Sequence, residues 1–226
     1  MKNLPLLFGT ILGTLLLVFG IGYFFSQSGT PNTAIEPVDP ALIAGDMRNV
    51  TGNLESEITI VNFSDFQCPA CKSTESLVQQ FLAAYGDRVK FVYRYFPLDG
   101  IHLNGRLAAQ AAEAAASDGK FWEYHHLLFE RQEEWGAIDD KTALINRFTE
   151  YAQELEIDKD QFLERIEATS VAELVEIDKQ AGIEAGVNAT PTFFVNGLET
   201  SAPQLSSVVD ALLPSTDATG SAEEQQ

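Results

Sequence analysis

The only two cysteines of the chain stand together as Cys68-Pro69-Ala70-Cys71, between a strand-like run and a helix-like one. Ile58-Thr59-Ile60-Val61-Asn62-Phe63 is rich in β-branched residues and reads as a buried strand. From Cys68 to Tyr85, apolar side chains at Leu77, Val78, Phe81, Leu82 and Tyr85 recur at helical spacing, and Gly86 is a natural stop. Arg88 to Phe96 alternates as a second strand, closed by Pro97. Two strands flanking one helix form a βαβ unit, whose crossover implies parallel pairing. The junction therefore demands an α/β core and puts two thiols at a helix N-terminus.

From Arg106 to about Ala185 the pattern is all helical, with an alanine-rich, an aromatic-rich and an amphipathic segment in turn. Asp158 and Ser170 are N-cap candidates for two further helices. So much helix between strands exceeds a crossover and reads as a helical domain inserted into the core. Strands return at Thr192-Phe193-Phe194-Val195, where Asn196-Gly197 signals a type I′ hairpin into Leu198–Thr200. A closing amphipathic helix follows from Pro203 to Leu213.

Before the core, Leu4 to Phe25 is apolar and uncharged. That length suits a helix crossing a bilayer, and residues 1–25 are expected to be a transmembrane signal anchor. A cleaved secretory signal is the alternative, with Ser26-Gln27-Ser28 as a small-x-small site. Lys2 is the positive flank that stays cytoplasmic, so the body is expected outside the membrane, on the periplasmic or cell-surface side. Disulfides persist there. Residues 26–45, with three prolines among small polar residues, read as a flexible linker, and 214–226 as a disordered tail. With 33 acidic residues against 14 basic ones, the net charge of −19 repels phosphate backbones and argues against a nucleic-acid partner.

The chemistry is expected at Cys68 and Cys71. Only a thiolate attacks a disulfide, and the unsatisfied N–H groups of a first helical turn stabilise that anion on Cys68. Pro69 fits the first turn, where its missing N–H costs nothing, and Ala70 completes the spacer. Cys71, one turn deeper, is expected to stay protonated until it resolves a mixed disulfide. No metal site is expected, because zinc needs about four ligands, no third cysteine exists and the histidines are only His102, His125 and His126. A purely structural disulfide would close a loop too short to constrain the unfolded chain. His125 and His126 lie in the aromatic helix, where at least one reads as a packed core histidine.

Thr190-Pro191 directly precedes the third strand. A proline there marks either a cis bond, which would expose backbone groups to an extended substrate, or an ordinary trans residue at the strand start.

Phe63 to Cys71 resembles the active-site segment of the DsbA-type branch of the thioredoxin superfamily. So do Arg94 to Leu98, His102 with the helix after it, Gly119 to His125, and Gly186 to Gly197. The likeness spans roughly residues 55–213, and is nearest to membrane-tethered members of the kind of disulfide-bond-forming protein D. It implies a thioredoxin-like domain over residues 46–213 with a helical insertion at about 104–186, an attacking Cys68, a resolving Cys71 and a cis Pro191. It further implies that Thr190 and Pro191 bind substrate, and that no cofactor is needed. The expected activity is oxidation of exported proteins with free thiols, with reoxidation by a membrane quinone-linked partner. A reductase or isomerase kept reduced by a membrane carrier, and a non-enzymatic holdase or adaptor, are the alternatives. One departure stands out: where many members carry a buried acid six positions before the first cysteine, this chain has Asn62. An amide takes no proton, so water or another group such as Asp65 must do so, or turnover slows; Asp65 also reads as a residue that merely initiates the helix.

Overall fold

The computed structural model describes residues 16–21, 23 and 37–214. Residues 16–21 and 23 are helical. The rest of the expected anchor lies outside the described residues, as do linker residues 26–36 and the tail beyond 214. Among the described residues no helix is long and apolar enough to cross a membrane.

The unit from Pro37 onward is built on a five-stranded sheet of order β1-β3-β2-β4-β5. Its strands are β1 (Val50–Gly52), β2 (Thr59–Ser64), β3 (Lys90–Tyr95), β4 (Thr192–Val195) and β5 (Leu198–Thr200). β2 and β3 pair in parallel, as the βαβ pattern requires, and every other pairing is antiparallel. The strand side chains alternate between two cores. Ile60, Phe91, Phe193 and Val195 pack under Val78 and Phe81 of α2 (Pro69–Tyr85) and Val209 of the last helix. Val61, Phe63, Val92 and Phe194 face Ile43 and Val187 on the other side. A sheet covered on both faces explains why β2 reads as a continuous apolar run.

α1 is Pro40–Ala44. Six helices, α3 (Gly105–Ala116), α4 (Phe121–Glu130), α5 (Gln132–Trp135), α6 (Lys141–Glu154), α7 (Lys159–Ile166) and α8 (Thr169–Glu184), lie between β3 and β4. α9 (Leu205–Leu212) closes the chain. In α3 the alanines at 108, 109, 111, 112, 114 and 115 are all buried, which lets neighbouring helices approach closely. Asn196 and Gly197 take the positive φ angles (48° and 86°) of the expected hairpin turn.

Two expectations are corrected. Residues 37–45 are not linker: Asp39 caps α1, Pro40 occupies its first turn, and Ile43 is 1% exposed. The prolines that suggested an extended tether instead start a helix, a position proline favours. Ser170 is not an N-cap, because α8 already begins at Thr169 after Ala168, whereas Asp158 does cap α7. Gly86 ends α2 with φ −58°, so its left-handed freedom is unused.

One network ties the N-terminal segment to both layers. Asp178 of α8 is fully buried; its Oδ1 meets Arg48 Nη2 at 2.5 Å and Arg94 Nη2 at 3.0 Å, and its Oδ2 accepts the Tyr95 N–H. Glu113 of α3 accepts from Arg48 Nε (3.2 Å) and the Tyr95 hydroxyl (2.8 Å).

Candidate active site

Cys68 is the N-cap of α2, with extended backbone (φ −72°, ψ 122°), and Pro69 follows in the first turn. The Cys68 thiol makes no cap bond of its own; it donates to the Thr190 carbonyl at 3.5 Å. Thr190 and Pro191 are joined by a cis bond, so two segments over a hundred residues apart meet at one sulfur. Cys71 follows one turn into α2, and both cysteines are free thiols.

Both are also buried, at 6% and 3% exposure, and both belong to the core shared with the insertion. The exposure expected of an attacking thiol is thus small. Cys68 is nonetheless acidified to about 5, chiefly by the hydrogen bond from Cys71, with further help from the Thr190 side chain (not its carbonyl) and from the first-turn N–H groups of Cys71 and Ala70. Burial opposes this and loses. Cys71 is pushed the other way, first by burial and then by the neighbouring Cys68 sulfur. The two directions favour the charge on the outer sulfur and the proton on the deeper one.

This asymmetry has a measurable consequence. In the reduced chain, ultraviolet thiolate absorbance should titrate near pH 5, and Cys71→Ala should move the midpoint upward by removing its largest cause. A midpoint at the ordinary thiol value of about 8.5 would contradict the geometry. The folded value lies below the unfolded one. The thiolate's contribution to stability of the reduced form is thus full above the ordinary thiol value and is lost as pH falls toward about 5.

The loop before Cys68 is clamped from the insertion. Gln132 of α5 donates to the carbonyls of Phe66 (2.6 Å) and Cys68 (3.1 Å). Gln67 donates to Gly136 O and accepts from Asn104 N–H. Asp65 is neither the N-cap nor a free base. Its Oδ1 accepts the Gln67 N–H at 2.8 Å, and its Oδ2 takes the Leu98 N–H at 2.8 Å and meets His102 Nδ1 at 2.7 Å. Gly105 allows α3 this close, because a Cβ there would lie 2.5 Å from the Asp65 carboxylate. Asn62 is buried in β2, beside Tyr93 and Phe193, and among the described residues its Oδ1 has no hydrogen-bond partner. The structure thus joins Cys68, Cys71, Thr190 and Pro191 at one point and makes Asp65 a brace. Gln132, Gln67 and Asn104 escaped sequence reading, since an amide that serves distant carbonyls leaves no local pattern.

A family model described as thioredoxin matches residues 45–213. The Na(+)/H(+) antiporter NhaA 3 of Salinispora tropica is 38% identical over 161 residues, which cover 71% of this chain and 22% of that protein. The chain therefore spans about a fifth of the length of that curated relative. A thioredoxin-like oxidoreductase from Silicibacter pomeroyi has a similar structure (TM-score 0.64, 27% identity, 77% of this chain and 98% of that one). Oxidised BdbD from Bacillus subtilis shares the fold (TM-score 0.63, 24% identity, 73% and 92%).

Proposed function

We propose that this chain, which belongs to the thioredoxin family and is a DsbA-like protein-disulfide oxidoreductase, works as an oxidase that passes a Cys68–Cys71 disulfide to exported proteins with free thiols. The observation that carries this reading is the placement of Cys68 at the N-terminus of α2 with Cys71 one turn deeper, which lowers the Cys68 thiol and raises that of Cys71. A stabilised Cys68 thiolate is a good leaving group, and favouring the reduced form makes the disulfide oxidising.

In the reaction, a substrate thiolate attacks Cys68 Sγ of the disulfide, forming a mixed disulfide and releasing Cys71 as a thiolate that takes a proton. A second substrate thiol gives up its proton and displaces Cys68. The substrate loses two electrons, and the enzyme pair becomes one thiolate and one thiol. The Thr190 carbonyl, beside Cys68, is placed to pair with an extended substrate backbone. Reoxidation requires an acceptor of two electrons, for which a membrane quinone-linked protein is the proposed partner. The apolar run of residues 4–25 supports a membrane-held enzyme with its catalytic unit on the extracytoplasmic side. The ion exchange in the name of the longer relative is not carried over.

The reduction potential decides the direction of electron flow. A value near about −120 mV is expected for the oxidase, whereas one near about −270 mV would overturn it in favour of a reductase or isomerase.

A further inference from the structure

The fold gathers three side chains that the redox reaction leaves unused. Glu75 lies on α2, four residues past Cys71, and its carboxylate faces α4. Its Oε1 is 3.2 Å from His126 Nδ1 and 3.8 Å from His125 Nδ1, and all three ligand atoms lie within 4.8 Å of one another.

The hydrogen bonding there leaves one buried ring nitrogen without a partner. His125 is 2% exposed, and among the described residues its Nδ1 has no hydrogen-bond partner. The 3.8 Å to Glu75 is too long to supply one, and a buried ring nitrogen without a partner is costly. His126 Nδ1 faces both the Glu75 oxygen and the Gln79 amide nitrogen, at 3.3 Å from the latter. Gln79 Nε2 also donates to Glu75 Oε1 at 3.1 Å, so His126 and Gln79 both turn toward that carboxylate. Lys72, which lines the same pocket, is paired with Glu133 at 2.6 Å.

We propose that Glu75, His125 and His126 form a binding site for one divalent cation of the zinc class. Two imidazoles and a carboxylate favour zinc, copper or nickel over magnesium or calcium, and three protein ligands leave a coordination position open. His126 and Glu75 line a surface pocket that also carries Glu130, so the cation has a route in and a second carboxylate nearby. The ligand set contains neither cysteine. Because Glu75 belongs to α2 and the histidines to α4, the cation ties the redox helix to the insertion. His125 also packs edge-on against Phe66 and Tyr93, which line the core around the cysteines.

The test is zinc titration of the full chain in detergent against a chromogenic chelator, with the cysteines oxidised so that they cannot bind metal. One zinc per chain is expected, and Glu75→Gln and His126→Gln should each weaken binding at least about tenfold. Cobalt should give visible absorption bands in the wild type that both variants lose. Absence of zinc binding by the oxidised wild type, or binding unchanged in both variants, overturns the site. A His125 variant risks unfolding because the ring is core, so the decision rests on the two more accessible ligands.

Discussion

Replacing Cys68 with serine is expected to bring disulfide exchange down to background, a loss of at least about a thousandfold in an insulin-type assay. The serine hydroxyl stays protonated at neutral pH, and Cys71 cannot take over. It is buried more deeply, and that burial by itself holds it in the thiol form. Cys71→Ser should behave differently. The Cys68 thiolate can still attack a substrate disulfide and expel one substrate thiolate, but no second cysteine resolves the product, so mixed disulfides with substrate should accumulate and be visible on non-reducing gels. If Cys68→Ser retained exchange, the assignment of roles to the two sulfurs would be wrong. Biological activity retained without exchange would instead favour a holdase or adaptor.

The largest effect expected on stability is at Asp178. Alanine there leaves the guanidinium groups of Arg48 and Arg94 without their shared carboxylate, and the Tyr95 N–H without an acceptor. Breaking one side of a buried ion pair costs about 3–5 kcal/mol. For a chain of this size that corresponds to a fall in Tm of roughly 6–20 °C. Thermal or urea unfolding of Asp178→Ala checks it, and a change below about 1 kcal/mol would show that the remaining partners, Glu113 and Asp46 for Arg48 and the Ala44 carbonyl for Arg94, suffice to hold the two arginines. Asp178→Asn, which keeps an acceptor for the Tyr95 N–H, should cost less.

The parts of this protein that were legible in its sequence are those written in local pattern. The βαβ unit follows from Ile58–Phe63, the helical repeat after Cys68, and Arg88–Phe96. The hairpin follows from Asn196-Gly197, whose conformational demands are local. The redox pair was legible for the same reason, because its two sulfurs sit three residues apart. What stayed hidden is either too short to show a period or assembled across great separations. α1 and β1 span five and three residues, so neither completes a repeat. Arg48 meets Asp178 across 130 positions, and Cys68 meets Thr190 across 122. Asp65 illustrates the limit: its identity suggested a base or a helix start, and only its three partners reveal a brace. The burial of Cys68 was hidden likewise, because the insertion's core closes around it.

Both margins of the sheet are strands of only three residues, β1 and β5. Between them lie runs such as Phe91-Val92-Tyr93 and Phe193-Phe194-Val195, rich in the aromatic and β-branched residues that template pairing with other chains when left open. Short margins offer few backbone groups to a visiting strand, so the folded chain should be a poor seed for edge-to-edge aggregation. An enzyme whose proposed clients arrive unfolded benefits directly from that. The protection on one side is supplied by the N-terminal segment: trimming the chain to begin after Gly52 would strip β1 from β3 and open the longer edge.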